Sequence, residues 1–504
     1  MAPAQLEAHL TCPGLILPDI NFAEMPSSDT KPPYKAPSSV LIIGSGVFGL
    51  STALSLATNP DFASTTITVL DRSPEPGVFP ARDAASIDSS RIIRADYADP
   101  AYASLATEAQ AHWRHRTPNN QNPDADLGAG GRYTESGFLL AADAGPSTRP
   151  GDGSLTGIGY AKKSWVNTLA LAQASGRPLR SIRVLPAPAS VAKVSRTGGA
   201  FADWGYLNEG GGWADAEACM RWLYDRVAGT GRVAFVNGTA EVLLTDDARG
   251  RVTGARLADG ATLEAELVVA AAGAWTAALV DLADQVVATG QVLGYLDITS
   301  EEQERLQDIP VLMNISTGLF IIPPRNRVLK IARHSYGYLN PKTVSTPPLG
   351  VPKDAQEGTA APEAPVTVSQ PWTHLDDASI SIPPEDEKVL WEALGKMIPS
   401  LNLEGRSFAR TRLCWYTDTP NGDWIIDYHP YWQGLFIATG GSGHAFKFLP
   451  VIGDRVVQCI TGRCPSELQD KWRWKTTNSD GKAIVTQDGS RGGEPGHILH
   501  RSNN

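Results

Sequence analysis

The chain has 504 residues, a formal net charge of −10 and 19% charged residues, which is enough length for two domains and a large core. The acidic balance argues against a nucleic acid partner, because phosphate binding needs a basic surface. No apolar run reaches the roughly 18 residues of a membrane span, the first residues lack the pattern of a secretory signal, and 501–504 do not form a peroxisomal tripeptide. We therefore expect a cytoplasmic protein with no membrane partner.

The cysteines indicate a reducing compartment. Their number is odd, they are scattered, and no two form a Cys-x-x-Cys pair, which argues against a disulfide framework and against a zinc site. We expect no metal site. The cysteines are Cys12, Cys219, Cys414, Cys459 and Cys464.

The first predicted elements form a dinucleotide-binding turn. The apolar run 40–43 predicts a buried strand, the motif Gly44-Ser45-Gly46-Val47-Phe48-Gly49 follows it, and helical spacing continues over 50–57. A second strand is predicted over 66–70 and ends at Asp71. In this pattern the three glycines serve the tight turn, the approach to a pyrophosphate and close helix–strand packing, while the acid binds a ribose. The motif predicts a dinucleotide but does not separate FAD from NAD.

The other predicted elements follow from local composition and apolar spacing. In chain order they are an N-terminal extension (1–37), loops (117–132 and 145–157), a helix (214–227), strands (233–237 and 241–245), an apolar run ending in a glycine turn (267–275), a mobile Pro-, Ala- and Gly-rich insertion (346–365), a helix (385–397) and a polar C-terminal tail with a disordered end (466–504).

These elements predict an α/β (α+β) protein whose two domains interleave along the chain. A Rossmann-like dinucleotide-binding domain is expected from 38–97, 210–290 and 408–465. The stretches 98–209 and 291–407 are expected to form a substrate domain. A cleft between two such domains is a usual place for a small-molecule site.

Lys330 and a pair of arginines are the first candidates for chemistry. The alternation around Lys330 predicts a strand with the lysine pointing inward, which is costly unless the charge is paired or hydrated; an exposed strand lysine is the alternative. Arg91 and Arg94 are three residues apart, so on a helical turn they would project to neighbouring positions. Two cations there favour an anionic ligand, and a solvated surface pair is the alternative.

Cys414 and His444 are candidates because of the residues around them. Cys414 precedes Trp415, and a buried core cysteine is the alternative interpretation. His444 follows a glycine-rich loop and is predicted at a helix N-terminus, where backbone amides would stabilise negative charge. An ordinary capped turn is the alternative for this loop.

Several motifs together resemble one family. They are the glycine motif 44–49, Ser90-Arg91-Ile92-Ile93-Arg94, Gly212-Trp213-Ala214, Gly273-Ala274-Trp275, Lys330 with His334, Cys414-Trp415, and Gly443-His444-Ala445-Phe446-Lys447. Over about 38–465 the chain resembles the monomeric sarcosine oxidase and fructosyl amino acid oxidase (amadoriase) family of FAD-dependent amine oxidases, which includes fungal saccharopine and pipecolate oxidases. The resemblance implies an FAD domain, a substrate domain with a mixed β-sheet, and a monomer.

The resemblance also implies roles for individual residues. Cys414 would hold FAD covalently through an 8α-S-cysteinyl link, Lys330 would activate oxygen, and Arg94 with Lys447 would bind a substrate carboxylate. The implied catalytic residues are Lys330, Arg91 and His334, and the implied substrate-binding residues are Arg94, Lys447, Tyr97 and Phe320. The implied cofactor-binding residues are Gly44, Ser45, Gly46, Val47, Phe48, Gly49, Asp71, Arg72, Ser86, Ser90, Arg91, Gly273, Cys414, Gly443, His444, Phe446 and Lys447.

The predicted function is oxidation of an N-alkylated amino acid, such as an N-methyl amino acid, with oxygen as acceptor and hydrogen peroxide as product. A role in fungal specialised metabolism is one context for such a substrate. Fructosyl amino acids, saccharopine and pipecolate are alternative substrates. Amadoriases tend to carry lysine where this chain has Arg91, so the resemblance is stronger towards the sarcosine oxidases. An NAD-dependent dehydrogenase and a non-catalytic flavoprotein are the alternatives from other classes.

Overall fold

The computed structural model describes residues 34–118, 122, 124–344, 346–350, 366–475 and 485–500. Contacts divide the chain into the units Met1–Lys35 and Ala36–Asn504, and the architecture below is that of the second unit. Most of the predicted N-terminal extension and most of the predicted insertion at 346–365 lie outside the described residues, as does the end of the predicted tail.

The strands share the apolar and β-branched composition expected of buried sheets. In the first half of the chain they are β1 (Ser39–Ile43), β2 (Thr66–Asp71), β3 (Arg91–Ile93), β4 (Tyr133–Thr134), β5 (Phe138–Ala142), β6 (Ile182–Leu185), β7 (Trp204–Asn208), β8 (Gly212–Ala214), β9 (Val233–Asn237), β10 (Ala240–Asp246), β11 (Arg251–Leu257) and β12 (Thr262–Glu264). In the second half they are β13 (Leu267–Ala270), β14 (Val287–Asp297), β15 (Val311–Asn314), β16 (Leu319–Arg325), β17 (Val328–Arg333), β18 (Tyr338–Leu339), β19 (Pro341–Thr343), β20 (Thr367–Ser369), β21 (Arg410–Asp418), β22 (Ile425–Tyr428), β23 (Leu435–Thr439) and β24 (His497–Ile498).

The α-helices are spaced between these strands, and several begin with a capping side chain or a proline. They are α1 (Val47–Thr58), α2 (Pro100–Arg114), α3 (Gly157–Ala174), α4 (Pro188–Ser195), α5 (Ala216–Gly229), α6 (Thr276–Leu279), α7 (Ser300–Leu306), α8 (Pro384–Met397), α9 (Ile452–Ile460) and α10 (Ser466–Trp472). None in the described ranges is long and apolar enough to cross a membrane.

A six-stranded sheet carries the predicted dinucleotide turn. Its order is β22-β23-β13-β1-β2-β9, parallel except for β22 at one edge. In β1, Val40 and Ile42 pack against α1 and other helices, and Leu41 and Ile43 pack on the opposite face against residues of β10 and β11. The strand is therefore buried on both faces, as is usual for parallel strands. The strands predicted at 40–43 and 66–70 are confirmed as β1 and β2, and the glycine motif joins β1 to α1.

A ten-stranded mixed sheet carries the candidate residues Phe320, Lys330 and Cys414. Its strand β14 pairs antiparallel with both β17 and β21. In this register Tyr295 lies opposite Lys330, and Gln291 lies opposite Cys414. The sheet therefore brings the lysine and the cysteine, which are distant in sequence, to strands on either side of β14.

Other local predictions are confirmed, with one correction. The helices predicted at 214–227 and 385–397 correspond to α5 and α8, and the strands predicted at 233–237 and 241–245 correspond to β9 and β10. The helical turn considered for Arg91 and Arg94 is wrong, because Arg91 lies in β3, which pairs with β8. Arg94 follows the end of this strand. The domain boundaries stay a prediction.

Candidate active site

One cavity of about 640 Å³ gathers most of the predicted site residues. Gly49 and Tyr97 are outside its lining. The predicted residues that line it are Gly44, Ser45, Gly46, Val47, Phe48, Asp71, Arg72, Ser86, Ser90, Arg91, Arg94, Gly273, Phe320, Lys330, His334, Cys414, Gly443, His444, Phe446 and Lys447.

The glycine motif has the geometry of a dinucleotide turn. Gly44 has φ +103°, and a Cβ on it would lie 2.4 Å from the carbonyl oxygen of Ala271. A Cβ on Gly49 would lie 1.8 Å from the carbonyl oxygen of Gly44. Around Gly46 the nearest atom to an added Cβ is the Ser86 hydroxyl at 3.9 Å, so the backbone there faces open cavity. The first and third glycines serve packing, and the second leaves room for a phosphate.

Asp71 ends β2 beside this turn. Its carboxylate accepts hydrogen bonds from the Ser45 backbone nitrogen at 2.9 Å and from the Ser45 hydroxyl. Burial raises the pKa of Asp71, against these hydrogen bonds. The neighbouring Arg72 pairs with Asp83, and its guanidinium lies 4.4 Å from the centre of the Trp275 ring. The acid is therefore at the end of the strand, as the motif predicts.

Asp88 is the centre of a buried charge cluster that the sequence did not reveal. Lys330 Nζ lies 2.6 Å from Asp88 Oδ2, and the guanidinium of Arg91 pairs with the same carboxylate oxygen. The hydroxyl of Tyr295 donates to Asp88 Oδ1 at 2.7 Å. Lys330 also donates to the carbonyl oxygen of Ser90 at 2.7 Å. The lysine predicted to point inward is thus buried and paired.

The charged groups in this cluster shift one another's pKa values. Burial lowers the pKa of Lys330 to about 8, although Asp88 opposes the shift. Burial alone would raise the pKa of Asp88, but the cations of Lys330, Arg91 and Arg412 hold it well below its ordinary value. Asp88 is therefore a carboxylate, and Lys330 titrates near the physiological range.

Cys414 lies in β21 and is 2% exposed. Its sulfur is 3.5 Å from a guanidinium nitrogen of Arg91. The next cation along the strand, Arg412, donates to the backbone carbonyl oxygens of Ile87 and Ala84. These contacts attach the segment before β3 to the strand that carries the cysteine, and they place Arg91 over the sulfur.

Arg94 presents an unused donor to the cavity. It is buried, and its guanidinium lies 4.8 Å from the Tyr97 ring centre and 5.3 Å from that of Phe138. Among the described residues, Nη1 of Arg94 has no hydrogen-bond partner. A buried donor without a partner costs free energy, so this atom fits an anionic ligand that supplies the acceptor.

Lys447 belongs to a chain of hydrogen bonds that passes through His444. Lys447 Nζ donates to the Tyr97 hydroxyl at 2.9 Å, and that hydroxyl is 3.0 Å from His444 Nδ1. His444 Nε2 is 2.8 Å from the carbonyl oxygen of Gly422, which can only accept. The proton of His444 is therefore on Nε2, and Nδ1 accepts from Tyr97. Burial and the nearby Lys447 lower the pKa of His444 well below its usual value, in agreement with a neutral ring.

His334 contacts an arginine that the sequence did not suggest as a site residue. A guanidinium nitrogen of Arg491 lies 2.9 Å from His334 Nδ1. Because arginine only donates, the imidazole accepts and is neutral. Burial and the Arg491 charge also hold the pKa of His334 well below its ordinary value. Arg491 pairs in turn with the buried Asp418. The sequence predicted only a polar tail here and gave no sign of a buried arginine.

The residues that line the cavity fit FAD in charge and in shape. The glycine turn leaves open space at Gly46, and the hydroxyl of Ser86 beside it is buried without a partner in the described residues. His444 precedes a short 3₁₀ helix, Ala445–Phe448, where the predicted helix N-terminus was expected. In the described ranges, no group of three or more His, Cys, Asp or Glu side chains is arranged to hold a metal ion.

Comparison with known proteins defines the class of this site. A family model described as FAD dependent oxidoreductase matches residues 39–459. The chain belongs to this family of FAD-dependent oxidoreductases, and the predicted resemblance to amino acid and amine oxidases is confirmed. FAD, rather than NAD, is therefore the dinucleotide of the family.

Particular relatives cover nearly the whole chain. The amino acid oxidase imqH of Aspergillus flavus is 33% identical and aligns over 89% of this chain and 99% of its own. The L-saccharopine oxidase of Schizosaccharomyces pombe is 28% identical over 86% of this chain and 93% of its own. The crystal structure of a modified fructosyl peptide oxidase from Aspergillus nidulans has a TM-score of 0.73 and 25% identity, and covers 93% of this chain and 98% of that one.

Proposed function

We propose that the protein oxidises the carbon–nitrogen bond of an N-alkylated amino acid, with oxygen as acceptor and hydrogen peroxide as product. FAD, when bound, accepts the two electrons and the hydrogen of the amine's C–H bond and passes them to oxygen. The observation that carries the proposal is Nη1 of Arg94, which is buried without a hydrogen-bond partner among the described residues, in a side chain that lines the same cavity as Lys447. These cations come from distant segments of an acidic chain.

The positive pocket selects a substrate with a carboxylate. Within the described ranges, Lys447 donates to the Tyr97 hydroxyl and to the His444 carbonyl, which leaves the third proton of its ammonium group for a ligand. Burial and the neighbouring Arg94 lower the pKa of Lys447 well below its ordinary value, and a bound carboxylate between the two would favour its charged form. The positive field inside the pocket, rather than the net negative charge of the chain, then governs which ligand is selected.

The neutral ring of His334 suits the other end of the substrate. Burial, together with the Arg491 charge, lowers the pKa of His334 and keeps its imidazole uncharged, so the ring does not repel an ammonium or a developing iminium, and the Arg491 charge itself is paired with Asp418. The side chains of Phe320 and Tyr416 line the same cavity and provide apolar surface. This combination favours a secondary amine that carries a carboxylate and a modest N-substituent.

Lys330 is proposed to serve the reaction with oxygen, and Cys414 to hold the cofactor covalently. A buried cation stabilises negative charge that develops on oxygen, and Lys330 keeps such a charge below its pKa of about 8. A guanidinium nitrogen of Arg91 lies 3.5 Å from the sulfur of Cys414, and Cys414 belongs to the lining of the cavity. This position supports the proposed 8α-S-cysteinyl link.

A second candidate substrate carries an additional acidic group. The Arg491 guanidinium adds a third buried cation beside His334, although Asp418 pairs with it. A relative is an L-saccharopine oxidase. Saccharopine-like amino dicarboxylates therefore belong in the same substrate panel as N-methyl amino acids, pipecolate and fructosyl amino acids.

A peroxide assay over that panel tests the proposal. The decisive comparison pairs each N-methyl amino acid with the amine that lacks its carboxylate. Charged hydrogen bonds contribute roughly 1.5–3 kcal/mol each, so Arg94→Ala should lower kcat/KM for the acid about ten- to a hundredfold and change that of the plain amine little. Equal losses on both substrates would show that Arg94 holds the fold or FAD instead. No peroxide with any amine would favour a non-catalytic flavoprotein.

A further inference from the structure

We infer that Asp88 is the positioning residue of Lys330: its carboxylate keeps the lysine charged and fixed in place, and ties it to the Arg91 guanidinium beside Cys414. This inference rests on the proposed role of Lys330 in the reaction with oxygen. It assigns a role to a residue that neither the motifs nor the resemblance included.

Both carboxylate oxygens of Asp88 are fully used. The side chain has no solvent exposure, and its Oδ2 receives Lys330 Nζ at 2.6 Å together with the Arg91 guanidinium. Its Oδ1 accepts from the Tyr295 hydroxyl at 2.7 Å and from the Ser89 backbone nitrogen at 2.7 Å. A saturated, buried carboxylate of this kind fixes the direction of each donor, because any rotation would break several charged hydrogen bonds.

Asp88 is the one acid among the groups that face Lys330 in the described part of the chain. The elements around this lysine fall into three groups: the segment that enters β3, the strands β14 and β16 that pair with β17 on its two sides, and strand β21 beyond β14. The groups they contribute are Asp88 and Arg91 from the first, Tyr295 and the apolar Ile322 from the second, and Cys414 with Arg412 from the third.

The charge of Asp88, rather than its shape, is what this environment requires. Burial and the Arg91 charge both disfavour the ammonium form of Lys330, and Asp88 is the counterion that opposes them. The Ser90 carbonyl also accepts from Lys330 at 2.7 Å, so an amide in place of Asp88 would leave one hydrogen bond intact. Asp88→Asn therefore removes the charge with little change in volume.

The test follows the reaction of the reduced holoenzyme with oxygen between pH 6 and 9. In the wild type, the rate should fall above a pKa near 8, where Lys330 loses its proton. Removing an opposite charge at contact distance shifts a pKa by about 1–3 units, so Asp88→Asn should move this midpoint down by at least about one unit. The rate at pH 8 then drops about fivefold or more, and the rate at pH 6 changes least.

Two further variants separate charge from position. Tyr295→Phe removes one hydrogen bond to the same carboxylate but keeps its charge, so the midpoint should stay within a few tenths of a unit. Asp88→Glu keeps the charge and displaces it by one methylene, so it should lower the oxygen rate at every pH with the midpoint near 8. An unchanged rate in Asp88→Glu at every pH would overturn the positioning role.

Thermal denaturation of the flavin-loaded protein gives a readout independent of turnover. At pH 6, where Lys330 is charged, Asp88→Asn leaves this buried charge without its counterion, and Lys330→Met removes the charge. The double variant should therefore lose less in melting temperature than the two single variants combined. Additive losses would mean that the residues act independently, which overturns the coupling between them.

The outcomes distinguish this inference from the proposed function. If Lys330→Met slows the oxygen reaction while Asp88→Asn keeps the wild-type pH profile, Asp88 has no positioning role and the role of Lys330 stands. If Lys330→Met leaves the oxygen rate unchanged, the proposed oxygen step is wrong and the inference falls with it. A shifted midpoint together with non-additive melting temperatures supports both.

Discussion

The contact between Arg91 and Cys414 links the charge cluster to the proposed covalent bond. Cys414 is a buried thiol on a strand, which by itself describes an ordinary core cysteine. The guanidinium 3.5 Å from its sulfur distinguishes it from Cys219, which is buried on α5 and whose pKa is raised by burial. Of the four cysteines in the part of the chain that the structure describes, only Cys414 combines burial, a neighbouring cation and a place in the cavity lining.

The first prediction concerns this sulfur. Acid precipitation of the native protein should leave yellow flavin in the pellet, and Cys414→Ala should release it to the supernatant, because the thioether survives denaturation and non-covalent contacts do not. Cys219→Ala is the matched control, since it removes another buried thiol away from the cavity. Flavin free in the native supernatant would contradict the covalent link.

The second prediction concerns Lys330. Its replacement by Met keeps the length of the side chain and removes the charge, so reaction of the reduced enzyme with oxygen should slow by about 10²–10³-fold, the usual effect of losing one preorganised charge. Anaerobic reduction by substrate should change much less. Stopped-flow absorbance measures the two half-reactions separately. Lys330→Arg, which keeps the charge, is the control, and an unchanged oxygen rate in Lys330→Met would make the lysine structural.

Among the elements, segment 485–500 contributes most to the site beyond the sequence motifs. It packs against the loop after β21 through Thr486, whose hydroxyl donates to the Thr419 carbonyl at 2.8 Å. Its strand β24 pairs with β18. Between these contacts Arg491 reaches His334 and Asp418. A polar tail thus supplies a buried cation to His334, which lines the cavity, because the ten-stranded sheet offers the tail an edge strand to pair with.

The third prediction tests this segment as an element. A Cβ on Gly492 would lie 2.0 Å from the backbone carbonyl carbon of Thr317, so Gly492→Val should displace Arg491 from His334 and Asp418. Loss of one charged contact predicts a rise in KM of about ten- to a hundredfold. The flavin content should stay normal. Glu494→Ala, an exposed change in the same segment, is the control. If steady-state kinetics give Gly492→Val the KM of the wild type, the segment has no role in substrate binding.

The sequence was sufficient to predict features that depend on residues close together in the chain. The glycine turn, the inward lysine of β17 and helices α5 and α8 depend on apolar periodicity and turn chemistry within a few residues. The sequence was insufficient to predict contacts between residues that are far apart in the chain. Asp88 pairs with Lys330 across 242 residues, and Arg491 reaches His334 across 157. The strand that replaced the expected helical turn at Arg91 forms only because β8 is available to pair with it.

At the scale of the whole molecule, buried neutral histidines determine part of the response to acid. The pKa of His334, of His444 and of His429 is lowered, mainly by burial, and for His429 it is about 4. Unfolded histidine has a pKa near 6.5, so below that pH the unfolded chain binds more protons and stability falls as the pH drops. Buried acids with a raised pKa, such as Asp418, bind protons in the folded state and oppose this trend.

The fourth prediction isolates one histidine from that balance. His429 Nδ1 accepts from the backbone nitrogens of Tyr431 and Trp432 at 3.2 Å, so its protonation would break both hydrogen bonds. His429→Asn keeps an acceptor oxygen on a shorter side chain but cannot titrate. Between pH 6.5 and about 4 the wild type should lose stability relative to the variant, by at most about 1.4 kcal/mol per pH unit; above pH 7 the difference should be constant. Chemical denaturation at several pH values measures the free energy of unfolding of both proteins. If the two free energies fall in parallel below pH 6, His429 binds its proton as readily in the folded state as in the unfolded chain.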